Sequence, residues 1–217
     1  KIDYNDLMLK ILSHENVASR APVYESYDKN VQGRVVNERG KTNAGVIAPF
    51  GSKKFPKEIK GDCFSAALAH NPSIGKIDPY IVAQHAVIEA CAKTVSVGAS
   101  PLALTDCLCF GNPEKPEQMW QFSQSCVAIR EACSLLHFNG TDNLPIVAGN
   151  VSFYNQSGDQ SIPASPMIGC FGKVSKEQVL MNGFRSSDAN IYLVGETPAF
   201  IGGSIVVDVL NIKVWCN

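Results

Sequence analysis

The chain has 217 residues, of which 45% are hydrophobic and 18% are charged, and its 19 basic and 20 acidic residues give a formal net charge of −1. This composition is typical of one folded domain, or of one domain with part of a second, and it excludes wholesale disorder. A nearly neutral chain lacks the bulk positive charge with which proteins bind nucleic acids or anionic membranes. No run reaches the roughly 18 apolar residues that a membrane helix needs, so no membrane partner is expected.

The first sixty residues predict short elements. The stretch 3–14 carries apolar residues at helical spacing, with Asp3 or Asn5 as its N-cap. Glycines and prolines interrupt the following residues, and the pieces 31–36 and 44–50 are predicted as short strands joined by turns.

Two long helices are predicted in the middle of the chain. Asp78 is a good N-cap for the first, Pro79 suits its first position, and the helix runs to Val97 before Gly98. The second helix follows the loop 110–118 and shows one apolar stripe over about five turns. The stripe consists of Met119, Phe122, Cys126, Ile129, Cys133 and Leu136.

Strand patterns alternate with these helices. Residues 101–106 form a predicted buried strand that ends in Asp106, residues 145–152 form a strand that turns at Gly149, and residues 165–174 form a further strand. Strands that alternate with helices indicate an α/β or α+β fold.

The last part of the chain predicts smaller elements. Residues 175–178 fit a capping box for a short helix, residues 189–196 read as a strand, and residues 197–204 form a glycine-rich turn. The final ~40 residues are too few to close a core of their own. We therefore expect a first domain at 1–175 and the incomplete start of a second at 176–217.

Eight cysteines are present, and none forms a C-x-x-C pair, so the usual zinc-ribbon and thioredoxin spacings are absent. Several lie in apolar stretches, which is typical of reduced, buried thiols in a cytoplasmic protein. Cys107 and Cys109 are two residues apart in a strand-like run and point to one face, where two thiols supply at best half of a soft-metal site.

Few residues are candidates for chemistry. Asp106 ends a strand, and carboxylates at strand ends commonly face a ligand crevice, although it could equally cap a turn. Asn150 and Ser152 follow Gly149 and offer oxygens that suit a hard cation or a phosphoryl group, with ordinary turn chemistry as the alternative. The residues alone thus predict an α/β domain with an anion and metal crevice.

Five blocks resemble phosphoribosylformylglycinamidine synthase, the formylglycinamide ribonucleotide amidotransferase of purine biosynthesis. The most specific are TDCLCFGNPEKPEQMWQF at 105–122 and the block around GNVSFYN at 147–174. The others lie at 27–36, 76–107 and 188–204, in the order that the family has.

The resemblance implies a fold. The family's synthase part has two tandem halves of the aminoimidazole-ribonucleotide-synthetase type, each an A domain followed by a B domain, packed as a pseudo-dimer. The chain resembles the A domain of the second half, with a mixed sheet and helices, followed by the truncated start of its B domain.

The resemblance also implies a reaction. The family uses ATP to activate a formamide oxygen of a ribonucleotide, and ammonia released from glutamine displaces phosphate to give the amidine. ATP and Mg²⁺, a first synthetase half and a glutaminase domain or subunit are the implied cofactors and partners. The alternative is a non-catalytic half that binds a nucleotide as a scaffold.

Site residues follow from the resemblance position by position. Asp106 is similar to an ATP-contacting aspartate, Gly149 to a glycine whose backbone meets the nucleotide, Asn150 to a Mg²⁺ ligand, and Ser152 to a substrate contact. The family's catalytic histidines lie in its first half, so no catalytic residue is expected here and the chain alone is expected to be inactive.

Three departures from the family pattern stand out. Ala67 and Ala69 occupy the positions at which the first half has a metal-binding glutamate and a catalytic histidine, and neither side chain can bind metal or move a proton. A six-residue excess around 137–145 predicts a surface loop. Residues 205–217 show no family pattern.

Overall fold

The computed structural model describes residues 2–27, 29–37, 40–138, 140, 143–184, 186–197 and 199–212. The helices are α1 (Tyr4–Ser13), α2 (Ala21–Tyr24), α3 (Pro72–Gly75), α4 (Pro79–Ser96), α5 (Pro116–Leu135) and α6 (Ile205–Leu210). The strands are β1 (Gly45–Ile47), β2 (Asp62–Ala69), β3 (Ser100–Cys109), β4 (Ile146–Ser152), β5 (Gln156–Ser157), β6 (Gln160–Ser161) and β7 (Ser165–Ser175). Among the described helices, none combines the length and the apolar character that crossing a membrane requires.

Five strands form one mixed sheet in the order β1-β2-β7-β3-β4. Strands β3 and β4 are parallel, and the other neighbouring pairs are antiparallel. The parallel pair requires a crossover connection, which α5 provides between the two strands. The α/β expectation with a mixed sheet is confirmed.

Helices α4 and α5 pack against each other and cover one face of the sheet. The alternation of β2 turns every second residue towards them, so Cys63, Ser65, Ala67 and Ala69 are buried while the residues between them are not. Phe110 is the largest fully buried side chain of the core beneath these helices.

The opposite face of the sheet is here called the open face, and within the described residues no helix layer covers it. Its central strands present Phe64 and Leu68 of β2 and Phe171 of β7, which are 36%, 65% and 44% exposed. The register places these residues on one face, because Phe171 pairs with Ala66, which lies between the other two on the same side of β2. The open face therefore exposes large apolar side chains.

The capped helices are confirmed. The Asp3 carboxylate accepts hydrogen bonds from the backbone N–H groups of Asn5 and Asp6 at the start of α1. The Asp78 carboxylate does the same for Tyr80 and Ile81 at the start of α4. Both arrangements satisfy amides that the first helical turn leaves without partners.

Two predicted strands are wrong, and one predicted short helix differs in its capping. Residues 31–36 form a 3₁₀ turn and a single bridge from Val35 to Ile47, in place of a strand. A short helix follows Ser175 as one 3₁₀ turn, but the capping box does not form, because the Ser175 hydroxyl donates to the side chain of Gln178. Residues 189–196 are described but form no strand, and Ile191, Tyr192, Leu193 and Val194 are 79–94% exposed.

Six elements were not predicted: α2, α3, β2, β5, β6 and α6. Strand β2 holds five small residues among eight, and α6 lies in the segment without a recognisable pattern. The excess loop lies partly outside the described residues, since 139, 141 and 142 are not described, but Leu144 within it is 3% exposed and packs into the core. Phe138, at the start of the same segment, is partly buried and also packs against this core.

Candidate functional site

Asp106 lies within β3, which continues for three more residues to Cys109, so the prediction that the strand ends there is wrong. It pairs with Ile168 of β7 on one side and with Gly149 of β4 on the other. Its neighbours at alternate positions, Leu104 and Leu108, are 0% and 5% exposed beneath the helices. Asp106 therefore projects towards the helix layer.

The Asp106 carboxylate occupies the space beside Gly149. A Cβ atom at Gly149 would lie 2.3 Å from Oδ1 and 2.6 Å from Cγ of Asp106. The next residue, Asn150, donates its backbone N–H to the same carboxylate. Any residue with a side chain at position 149 would displace Asp106, so the two positions form one structural unit.

Burial raises the pKa of the Asp106 carboxyl, and the hydrogen bond from the Asn150 amide opposes the shift. The charge of Asp106 in turn helps burial to raise the pKa of the Cys126 thiol, which lies on α5. A carboxylate held in a partly desolvated position, with one fixed donor, is typical of a group placed for binding.

A cavity of about 370 Å³ opens beside Asp106. Leu108, Ile129, Leu144 and Ile146 supply apolar walls, and Arg130, Ser134 and Asn143 supply polar groups. Pockets of roughly 300–1,000 Å³ with apolar walls and a few polar groups are the usual binding sites of small molecules. The cavity makes the helix side of Asp106 the candidate position for a ligand.

The raised pKa gives a pH-dependent prediction for Asp106. The folded chain holds this proton more tightly than the unfolded chain does, so its free energy of unfolding rises as the pH falls through the raised pKa towards the unfolded value of about 3.9. Asp106→Asn removes the cost of the buried charge. We expect it to stabilise the chain at neutral pH, by an amount that shrinks as the pH falls.

Urea unfolding of both proteins across this pH range measures the effect, because the midpoint follows stability when the slope is unchanged. A variant that is less stable than the wild type at neutral pH would contradict the prediction.

Asn150 and Ser152 lie on the other side of the sheet from Asp106. The register pairs Asn150 with Cys107 and Ser152 with Cys109, one residue out of phase with the pairing of Asp106 and Gly149. Side chains alternate along a strand, so Asn150 and Ser152 project from the open face. The four predicted residues are neighbours on β3 and β4, but their side chains do not share a single crevice.

Ser152 is held in place by Asn155, which the sequence did not single out. The Asn155 side-chain amide donates to the carbonyl of Phe110 at 3.0 Å, to the carbonyl of Ser152 at 2.8 Å and to the Ser152 hydroxyl at 3.2 Å. Tyr154 between them has a φ of 60°, which brings Asn155 back onto the strand end. In the sequence, the role of Asn155 is indicated only by its polar side chain three positions after Ser152.

Ala67 and Ala69 are buried under the helices, at 4% and 2% exposure, so these positions face away from the open face. In the parts of the chain that the structure describes, no three His, Cys, Asp or Glu side chains form a metal-binding group. His70 lines a separate cavity of about 420 Å³, and burial lowers its pKa. For a hard cation, the described residues therefore offer single oxygen ligands, such as the Asn150 amide, and no cluster of carboxylates.

Residues 42–174 match the family model described as "AIR synthase related protein, N-terminal domain". The chain belongs to this family. The match covers the sheet and both long helices of this AIR synthase related domain, including all four predicted site residues.

Curated relatives extend the similarity. The domain and its flanking residues are 38% identical over 205 residues to phosphoribosylformylglycinamidine synthase subunit PurL of Methanothrix thermoacetophila, covering 93% of this chain and 26% of the relative. The corresponding subunit of Campylobacter lari is 38% identical over 207 residues, covering 94% of this chain and 26% of that protein. The chain thus spans about a quarter of the length of these relatives.

Solved structures of Thermotoga maritima proteins share the fold. The structure of PurLQS superposes with a TM-score of 0.63 at 28% identity, covering 75% of this chain and 25% of that chain. PurL complexed with ATP and PurL complexed with FGAR each superpose with a TM-score of 0.60 at 28% identity, covering 75% of this chain and 24% of theirs.

Proposed function

We propose that this chain is the A domain, with the start of the B domain, of the second synthetase half of an ATP-dependent carbon–nitrogen ligase. The ligase converts formylglycinamide ribonucleotide, ATP and glutamine-derived ammonia into formylglycinamidine ribonucleotide. One observation carries the proposal: the four positions that resemble nucleotide, metal and substrate contacts lie on the paired strands β3 and β4, with Gly149 beside the Asp106 carboxylate and with Asn150 and Ser152 on the open face.

Each site residue has a proposed role. Asp106 and the backbone at Gly149 contact ATP, the Asn150 amide oxygen is a ligand of Mg²⁺, and the Ser152 hydroxyl binds the ribonucleotide. A Mg²⁺ ion takes few protein ligands and completes its shell with water and substrate phosphates, so a single amide oxygen fits that chemistry. The ion neutralises phosphate charge when bound, and Asn155 keeps the Ser152 hydroxyl oriented towards the substrate.

The chain's own residues bind and orient and do not transfer protons. No histidine is among the proposed contacts, and Ala67 and Ala69 stand where a metal ligand and a base would be needed.

We infer that a first synthetase half supplies these groups and docks on the open face. The exposed Leu68 and Phe171 favour this, because large apolar patches commonly mark interfaces. A glutaminase domain or subunit supplies the ammonia.

The domain boundary and the location of the protein are also proposed. The sheet's last strand ends at Ser175, and we place the start of the B domain at 176–217. A reduced set of thiols suits a cytoplasmic enzyme, and the seven described cysteines are all free.

A nucleotide-binding scaffold is the second candidate function. The buried alanines at 67 and 69 favour it, because they leave this half without a proton-transfer group of its own. A scaffold half would bind a nucleotide tightly. Substitutions at its nucleotide contacts would then leave the turnover of the complete enzyme unaffected.

Reconstitution in trans tests the proposal. The chain is combined with the first half of the Methanothrix relative, and phosphate release is measured with ATP, Mg²⁺, the ribonucleotide and ammonium chloride. The segment of the relative's own second half that matches this chain, supplied in the same way, is the positive control. We expect product from the combination, none from the chain alone, and a reduced rate with Ser152→Ala.

Each contrary outcome is informative. A chain that co-elutes with the first half but supports no turnover, while the positive control does, would favour the scaffold. Turnover by the isolated chain would contradict the need for a first half. Failure to co-elute would overturn the proposed docking face.

A further inference from the structure

Two thiols stand side by side on the open face. Cys107 and Cys109 are two residues apart on β3, so their side chains share a face, and their Sγ atoms are 3.7 Å apart. Both are only partly buried, whereas Cys63, Cys91, Cys133 and Cys170 are buried in the core. The pair is therefore distinct from the packed thiols of the interior.

A third sulfur lies on the same face. Met167 of β7 pairs directly with Cys107, and directly opposed residues have Cβ atoms about 4.5–5.5 Å apart. Met167 is partly buried, and its flexible thioether side chain reaches across such a distance. On the other side of β3, Asn150 pairs with Cys107 and Ser152 with Cys109.

We propose that Cys107, Cys109 and Met167 bind one soft metal ion, with copper(I) as the ion that the ligands suit best. A metal–thiolate bond of about 2.3 Å spans the 3.7 Å between the two sulfurs at an angle of about 107°. This angle leaves coordination positions free on the open side, where the thioether can complete a three-sulfur site.

The ligand set separates copper(I) from zinc. Structural zinc sites take four ligands from cysteine, histidine and carboxylates, and only two of these occur here. In the described residues no third Cys, His, Asp or Glu joins the pair. Thiolate and thioether sulfurs together are the ligands that copper(I) prefers, and harder ions bind oxygen instead.

Metal binding is coupled to proton release. Both thiols must lose their protons to become ligands, and these protons pass to solvent. The apparent affinity therefore rises with pH. The inference does not require the proposed enzyme function, because its readout is metal binding.

The full 217-residue chain, reduced and kept anaerobic, is titrated with copper(I) in competition with a chromophoric chelator. Cys126 and Cys216 are replaced by serine in the background protein, since the first is only partly buried and the second lies outside the described residues. We expect one ion per chain. X-ray absorption is expected to show three sulfur neighbours.

Variants assign the ligands. Cys107→Ser and Cys109→Ser are each expected to weaken binding by more than the roughly 10–100-fold that loss of an outer-shell partner costs. Met167→Leu keeps an apolar side chain of similar size, and with it two sulfur neighbours should remain. Unchanged thermal unfolding of each variant shows that the fold is kept.

Three results would overturn the proposal. They are undiminished copper(I) binding by the double Cys107→Ser/Cys109→Ser variant, an unchanged affinity and sulfur count with Met167→Leu, and tighter binding of Zn²⁺ than of copper(I).

Discussion

Gly149→Ala is expected to destabilise the chain by about 1–3 kcal/mol, the usual cost of adding atoms to a filled space. The new Cβ would lie 2.3 Å from the Asp106 Oδ1 atom, so the carboxylate must rotate away and lose the hydrogen bond from the Asn150 amide. Chemical denaturation measures the loss of stability. Gly45→Ala is the matched control, because Gly45 lies on the other edge strand and its Cβ would meet only one atom, at 3.9 Å.

A double-mutant cycle identifies the cause of this loss. In an Asp106→Ala background the carboxylate is absent, so Gly149→Ala should cost little. Residues in direct contact typically couple by about 0.5–3 kcal/mol, and a coupling in this range is expected here. The same cost in both backgrounds would show that Gly149 is needed for backbone reasons alone.

Asp106→Ala is expected to lower kcat/KM for ATP in the complete enzyme by about a hundredfold, or ~2.7 kcal/mol of transition-state stabilisation. Its effect on stability should be small or favourable, because burial already disfavours the charged form of this carboxyl. A functional carboxylate that does not stabilise the fold is typical of binding sites.

The control for this variant is Asp159→Ala, which removes a carboxylate from an exposed residue of the β5–β6 turn. Asp106→Asn separates charge from shape, since it keeps an oxygen that can accept the Asn150 amide. Wild-type ATP kinetics in both Asp106 variants would contradict the assigned role and leave the cavity without a nucleotide contact.

The sequence predicted the elements that carry their own local signals. Asp78 and Pro79 define a helix start through local contacts alone. The Asp78 carboxylate accepts hydrogen bonds from amides of the first turn, and Pro79 has no N–H group that would need a partner. The strand predicted at 189–196 failed for the opposite reason. A strand needs a neighbour for its backbone hydrogen bonds, and the apolar, β-branched character of these residues supplies none.

The site residues were predicted, but the faces of the sheet from which their side chains project were not, because these depend on pairing between strands. The resemblance placed Asp106, Gly149, Asn150 and Ser152 together, and the structure puts them on adjacent strands. Their division between two faces depends on the register of β3 with β4, which shifts between Leu104 and Thr105. Such an irregularity arises from pairing between strands, and no pattern within either strand reveals it.

That shift at Leu104 and Thr105 restricts how this segment can change in length. Removing one residue from β4 would exchange its two sides, sending the Asn150 amide under the helices and the Gly149 position outward. Insertions and deletions are tolerated where they leave the register of paired strands unchanged. The 137–145 segment precedes β4, and its Leu144 is buried in the core. The number of residues before Leu144 can therefore change while β4 keeps its register with β3.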